Sequence, residues 1–511
     1  MWCKVRPSFQ RASLATAAIK PAAATRPELG RLLLYLLLGF SAGLPFYMFS
    51  TVLALRLTEH GVGLVLIGFF AWVTLLPTFK FLWAPMLDRY DVPGFARFWG
   101  KRRGWIMLSQ LGIFSSLVAM AVNSADRSLS LTAMFAVLLA FWTTTLEVAA
   151  DAWRIELAPT QDAQGPIVAA NLWGYRTAMV AAGSVSLIVA DRAGWTAAYL
   201  MIALAAFLPF PLLAAMRPEP KASGSRWPAL AIGLSASAAI LLVTALVTAA
   251  VGTIVLALAQ NAGISAKTNV TPAVLVICLL PFVAMALALP KIRRAPADAP
   301  IRRSAAIGPY VEIFWRYGYG ALAILAFVSL YRMGDVLALT LSKPLVKSIG
   351  YTLTEIGVAD GAVALVSSMA GVALGGWLVT RWPQGWTLAL GAVLAGIGNF
   401  GFVWLAHQRP SEIALYIATA ADQFGNGIAG AVFVVYLSML VNPRYPGAQY
   451  AFLSGFAFLL PRLLAGASGT MQARIGYDGF FLLSGTLSLA AILFLPLLAR
   501  IHPRIPEDEP E

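Results

Sequence analysis

Long apolar runs recur along the whole chain, and no other feature constrains its fold as much. A run of roughly 20 uncharged residues is what an α-helix needs to cross a hydrocarbon layer of about 30 Å. Hydropathy predicts about fourteen such spans. Six lie at 32–55, 64–86, 105–123, 129–152, 166–190 and 195–216. Two follow at 228–258 and 271–290, and six more at 318–341, 354–380, 386–406, 412–441, 450–473 and 478–500. Composition agrees, since 59% of the 511 residues are hydrophobic and 12% charged, too little polar surface for a soluble chain of this size. The short alternating strands of a membrane β-barrel are not seen. The fold class is therefore all-α integral membrane.

Charge then predicts orientation. The net charge is +14, from 37 Lys and Arg against 23 Asp and Glu. With the N-terminus inside, most basic residues fall in inner segments, densest in "ARFWGKRRGW" (96–105) and "KIRRAPADAPIRR" (291–303). This is the positive-inside pattern, and it puts both termini in the cytoplasm. It also accounts for the charge without a nucleic-acid partner. Residues 1–31 are basic and Ala-rich and lack the apolar core of a secretory signal, so they read as a tail. Cys3 and Cys278 support neither a disulfide framework nor a zinc site, and His60, His407 and His502 fall at span ends. No P-loop or dinucleotide fingerprint is present. No metal and no cofactor are expected, and the reading is not that of an enzyme.

The chain also repeats itself. "GVGLVLIG" (61–68) matches "GYTLTEIG" (350–357), and "GWTAAYL" (194–200) resembles "GYDGFFL" (476–482). "GYRTAMVAAGS" (174–184) resembles "LPRLLAGASG" (460–469), each with one Arg and a Gly seven residues later. The expected organisation is a six-helix bundle at 32–216, linkers with two extra helices at 217–317, a second six-helix bundle at 318–501 and a tail at 502–511. Two such halves suggest a transporter with its site between them.

Charges within the spans mark that site. Each costs about 2.5–3.5 kcal/mol or more at the bilayer centre unless it has a partner or a polar cavity. By position, Arg176, Arg332, Asp335, Asp422 and Arg462 come near mid-depth, and Lys80, Glu147 and Asp151 in the inner third. Pairing between neighbouring helices is one explanation, and Arg332 and Asp335 have the i, i+3 spacing to neutralise each other. As a set, the charges suggest a central cavity. The expected ligands of an anionic or polar substrate are Arg176, Arg332 and Arg462, with Asn426 and the aromatics Tyr47, Trp173, Tyr175, Tyr331 and Tyr436. The expected proton carriers are Asp422, Asp335, Glu147 and Asp151, because a carboxylate that gains or loses an Arg neighbour changes its hold on a proton. Glu147 and Asp151 share one helix face, and Lys80 has the right depth to pair with Glu147.

Several motifs are also familiar. "GFSAGLP" (39–45), "KFLWAPMLDRY" (80–90), "GKRRGW" (100–105), "DAWRIELAP" (151–159), "GYRTAMVAAG" (174–183) and "LYRMGDVLA" (330–338) resemble the AmpG-type muropeptide permeases of the major facilitator superfamily. The likeness extends over both halves. It implies the major facilitator fold and a loop in which Asp88 and basic residues (Arg89, Arg102, Arg103, with Lys80 nearby) gate the inner face. It implies proton-coupled import of GlcNAc-1,6-anhydro-MurNAc and its peptides, products of peptidoglycan turnover, across a bacterial inner membrane. The partners are then a small anionic sugar substrate, protons and the lipid bilayer, with the protein a monomer. Two other readings stay open: transport of another anionic solute, such as acetyl-CoA or a sugar acid, and a non-transporting membrane sensor.

Overall fold

The computed structural model describes residues 29–61, 71–123, 128–216, 271–296, 299–304, 307–465 and 468–504. The expected span at 228–258, part of the one at 64–86 and most of both tails lie outside the described residues. Among the described residues the molecule is helical without strands. The first half contains α1 (Leu29–Phe49), a 3-10 segment (Ala71–Leu82), α2 (Phe95–Val122), α3 (Leu129–Leu157), α4 (Gln161–Val180) and α5 (Ser186–Ala206). Between the halves come α6 (Thr271–Arg294) and α7 (Gly308–Tyr317). The second half contains α8 (Gly320–Ile349), α9 (Ala364–Arg381), α10 (Gln384–Ala406), α11 (Glu412–Leu440), α12 (Pro446–Ala465) and α13 (Ser468–Ala490).

Ten helical runs among the described residues are long and apolar enough to cross a membrane. One of them, Gln161–Ala215, is 55 residues long and contains two of the expected spans. The chain turns inside it at Gly194, whose φ of 82° and ψ of 165° are not helical. α13 has the same break at Gly476, with φ 71° and ψ 178°. These are the matched glycines of "GWTAAYL" and "GYDGFFL". The other repeat behaves alike, with Gly61 at φ 73° and Gly350 at φ 114°. A side chain with Cβ is strained in that region, so both repeats preserve a backbone requirement.

Packing follows the repeat. α1 packs on α4 as α8 packs on α12, and α2 packs on α3 and α5 as α10 packs on α11 and α13. Across the halves α4 meets α9, and α12 meets the 3-10 segment. These are pseudo-twofold equivalents. The α4–α9 approach is close because both sides lack Cβ, since a Cβ at Gly165 would stand 2.6 Å from the Gly376 carbonyl oxygen. Small residues let helices approach where no hydrophobic drive exists. α6 lies against α12, α8 and α7, with Phe282 edge-on to Phe456 at 5.4 Å. The helix after the basic loop starts earlier than hydropathy predicts, at Phe95, and breaks at Gly100 (φ 78°).

Candidate functional site

Contacts between the halves concentrate at the end of the molecule that carries "MLDRY" and "GKRRGW". There Asp88 reaches from one half to the other. Its Oδ1 accepts from Gly447 N at 3.1 Å and its Oδ2 from Ala448 N at 2.7 Å. Those amides belong to the first turn of α12, where four N–H groups have no partner within the helix. A carboxylate is the natural cap for that positive end. Arg102 Nη2 donates to the same Oδ1 at 2.8 Å and to Glu156 Oε1 at 2.7 Å. The side chains of Asp88 and Arg102 are only 4% and 8% exposed. Burial pushes the Asp88 carboxyl above its usual range, and Arg102 and the two amides oppose that. Arg103 is buried beside this latch. Arg89, an expected gating residue, instead turns toward the Tyr90 ring at 5.9 Å.

Further contacts extend the seal toward the middle. Arg154 donates to Ser438 Oγ at 2.9 Å across the halves, and to Gln164 and Asp151 (3.0 Å) within its own half. Its guanidinium also lies 5.3 Å from the Tyr450 ring centre. Tyr310 OH donates to the Phe81 carbonyl, Gln161 Nε2 to Val379 O at 2.8 Å, and Trp173 Nε1 to Met369 O at 2.9 Å. Lys80 and Glu147 stand 3.7 Å apart, which is the expected pair.

The charges expected at mid-depth differ in how they are satisfied. Arg332 Nη1 donates to Asp335 Oδ2 at 2.7 Å. The other oxygen of Asp335, Oδ1, is buried without a hydrogen bond among the described residues. Arg332 and Arg462 both lie over Phe458, at 5.3 and 5.5 Å. Arg462 donates to Thr74 O at 3.0 Å, so it belongs to the contact between halves. Asp422 accepts from Gln423 Nε2 at 2.8 Å and Asn426 Nδ2 at 3.0 Å. The sequence suggested an Arg partner for Asp422. Amides of its own helix take that place, because they are within reach whatever the neighbouring helices do. Arg176 is half-buried and, among the described residues, has no hydrogen-bond or ion-pair partner.

Two expected substrate aromatics are elsewhere. Tyr331 is 2% exposed and stacked on Phe433 at 5.2 Å, and Tyr436 is 7% exposed and edge-on to Phe327. Both pack inside the second half, where Phe433 and Phe327 fill the space beside their rings. Tyr47 and Tyr175 remain partly exposed near Arg176. Asn426 is committed to Asp422. Sequence reasoning missed Arg154 and Glu156 as parts of the seal, although both lie in "DAWRIELAP". The i, i+3 spacing of Asp151 and Arg154 was the available signal.

No protein-family model matches the chain. It is 25% identical over 470 residues to a transporter named AmpG 4 of Rickettsia conorii, covering 92% of this chain and 96% of that one. It is 26% identical over 465 residues to the anhydromuropeptide permease of Escherichia coli, covering 90% of this chain and 78% of that one. The proton:xylose symporter XylE superposes with a TM-score of 0.60 at 14% identity, over 92% of this chain and 95% of XylE. The human organic anion transporter TETRAN superposes with a TM-score of 0.53 at 14% identity, over 96% of this chain and all of that one. These relatives are permeases and transporters, not enzymes. The chain is a multi-pass membrane protein with the major facilitator fold, related along nine-tenths of its length to the AmpG-type permeases.

Proposed function

We propose that the protein is a proton-coupled symporter that carries GlcNAc-1,6-anhydro-MurNAc and its peptides from periplasm to cytoplasm. It sits in a bacterial inner membrane as a monomer, with both termini cytoplasmic. Residues 32–216 and 318–501 are its two moving halves, and 217–317 lies outside the transport core. The observation that carries this reading is Arg176, a guanidinium inside a helix apolar enough to cross a membrane, with no hydrogen-bond or ion-pair partner among the described residues. An unpaired cation there is costly, and an anionic substrate would remove the cost. The proposed substrate supplies a carboxylate on its lactyl group, which a guanidinium binds through two parallel hydrogen bonds. The name of the Escherichia coli relative supports the substrate class.

The contacts at the Asp88 end support a state closed there and open at the other face, ready to receive substrate from outside. Substrate would draw Arg176 to itself, and its own negative charge would raise the proton affinity of a nearby carboxylate. Asp422, and Asp335 with its unbonded Oδ1, are the carboxylates placed to answer by taking a proton. Return of the proton to the cytoplasm would follow opening of the latch. The decisive measurement is uptake of labelled anhydro-disaccharide by proteoliposomes with and without an inward proton gradient. Gradient-dependent accumulation is expected. Uptake of a sugar acid or acetyl-CoA instead would replace the substrate assignment, and no uptake of any of them by folded protein would refute transport.

A further inference from the structure

α6 packs on α12, α8 and α7, yet it leaves Val283 and Leu287 exposed. On a membrane-embedded helix such side chains meet lipid tails. Lys291 and Arg294 continue the same stripe at spacings of four and three residues, and both are exposed. Residues 273–290 carry no charge, so Lys291 is the first cation after the apolar run. It stands roughly 6 Å beyond Leu287 along the helix axis, and Arg294 roughly 10 Å. That is where hydrocarbon gives way to headgroups. More cations gather beside them. A short helix, Pro300–Arg303, packs on α7 and exposes Ile301 and Arg303. Arg302 lies 4.4 Å over the Trp315 ring and reaches back to the Ala295 carbonyl at 3.5 Å. Arg293 rests against the turn after α7, where a Cβ on Gly318 would stand 3.2 Å from its guanidinium carbon. None of these five has an acidic partner among the described residues. Glu312, the acid of α7, is engaged by Arg316, Asn442 and Gln449. α12 brings no acid, and α8 only Asp335, which Arg332 holds. Asp298 lies outside the described residues, and residues 291–303 hold five basic residues against that one acid. Exposed Ile307 and Tyr319 flank the patch, which is therefore both basic and apolar.

We propose that this surface seats an anionic phospholipid: Lys291, Arg294 and Arg303 take the headgroup phosphate, while Ile301 and the stripe of α6 meet the acyl chains. Basic side chains beside an anionic leaflet attract its headgroups, and guanidinium forks match phosphate oxygens. The lipid staples α6 and α7, the link between the halves, to the membrane surface. An acidic peptide is the rival occupant, and this chain contains one in "EDEPE" (507–511). Its entry point is close, since Arg504 N donates to Arg316 O at 2.9 Å. Such a peptide matches the charge but has no apolar side chain for Ile301 and Ile307, whereas a lipid answers both. Nothing here depends on the transported solute, so the test can fail while the transport reading stands.

Full-length protein in neutral detergent is titrated with fluorescent phosphatidylglycerol at fixed ionic strength, with fluorescent phosphatidylcholine as the control, and anisotropy reads binding. Saturable binding of phosphatidylglycerol is expected, about tenfold or more tighter than that of phosphatidylcholine. Lys291→Gln, Arg294→Gln and Arg303→Gln should each weaken it about fivefold, and the three together about a hundredfold. All three side chains are exposed, so the variants should keep the parent's thermal midpoint. Arg97→Gln removes an exposed charge elsewhere and should leave binding unchanged. The proposal is overturned if phosphatidylcholine binds as tightly, or if Arg97→Gln weakens binding as much as Lys291→Gln. It is also overturned if inorganic phosphate at the same concentration displaces the lipid. Binding that appears only after Glu507, Asp508, Glu509 and Glu511 are replaced by Gln overturns it too, and assigns the patch to that acidic stretch.

Discussion

Replacing Asp88 by Asn should open the sealed end. The carboxylate accepts from Arg102 at 2.8 Å, Gly447 N at 3.1 Å and Ala448 N at 2.7 Å, two of these from the opposite half. Asn keeps one accepting oxygen and turns an NH2 group toward one of those donors. Each hydrogen bond to a charged group is worth about 1.5–3 kcal/mol, and stripping a buried charged partner costs about 3–5 kcal/mol. Allowing for the acceptor that Asn retains, the closed arrangement should lose about 2–4 kcal/mol, a shift of roughly 30- to 1,000-fold in the closed-to-open ratio. The assay uses Ser438→Cys, since Ser438 is 4% exposed and bonded across the halves to Arg154, with Cys3 and Cys278 replaced by Ser. Labelling by a membrane-permeant thiol reagent should accelerate on adding Asp88→Asn, and turnover should fall more than substrate affinity. Equal labelling rates with and without Asp88→Asn would refute the latch.

Charge reversal of Lys80 or Glu147 should impair uptake, and the double reversal should recover part of it; with the pair 3.7 Å apart and Glu147 a quarter exposed, the coupling should be about 1 kcal/mol in a double-mutant cycle. Arg176→Lys should weaken substrate binding although the charge is kept, whereas Arg462→Lys, which loses the fork that reaches Thr74, should chiefly speed Ser438→Cys labelling. Equilibrium binding and labelling measured on both variants separate these outcomes. Asp422→Asn should abolish gradient-driven accumulation while leaving counterflow exchange, and continued accumulation against a gradient would remove Asp422 from coupling. Joining Glu219 to Ser304 through a flexible linker should preserve transport but lower thermal stability, since it uncovers the face of α12 where Phe282 meets Phe456. Loss of uptake in a well-folded deletion would place the extra segment in the pathway.

Much of the architecture was legible because it depends on local properties. Run length and hydropathy specify which segments can be buried in lipid, and the bilayer permits only helices or closed barrels there, of which apolar runs of roughly 20 residues suit helices. The paired glycines were legible as repeats because a left-handed backbone tolerates almost nothing else, and Gly61 with Gly350 and Gly194 with Gly476 take that conformation. The i, i+3 bond of Arg332 to Asp335 and the pairing of Lys80 with Glu147 followed from helix geometry and depth. What the sequence alone left undecided is which face each half turns to the other. Asp88 meets amides about 360 residues away, and no local pattern specifies that contact. Arg176 and Arg462 occupy equivalent places in the repeat, yet one has no partner among the described residues and the other is bonded to Thr74. Tyr331 follows the same logic, a neighbour of Arg332 in sequence but stacked in the core. The physical reason is the same in each case. Two near-symmetric halves have more than one way to rest against each other, and only the tertiary arrangement selects which equivalent residue is satisfied by protein and which is left without a partner among the described residues.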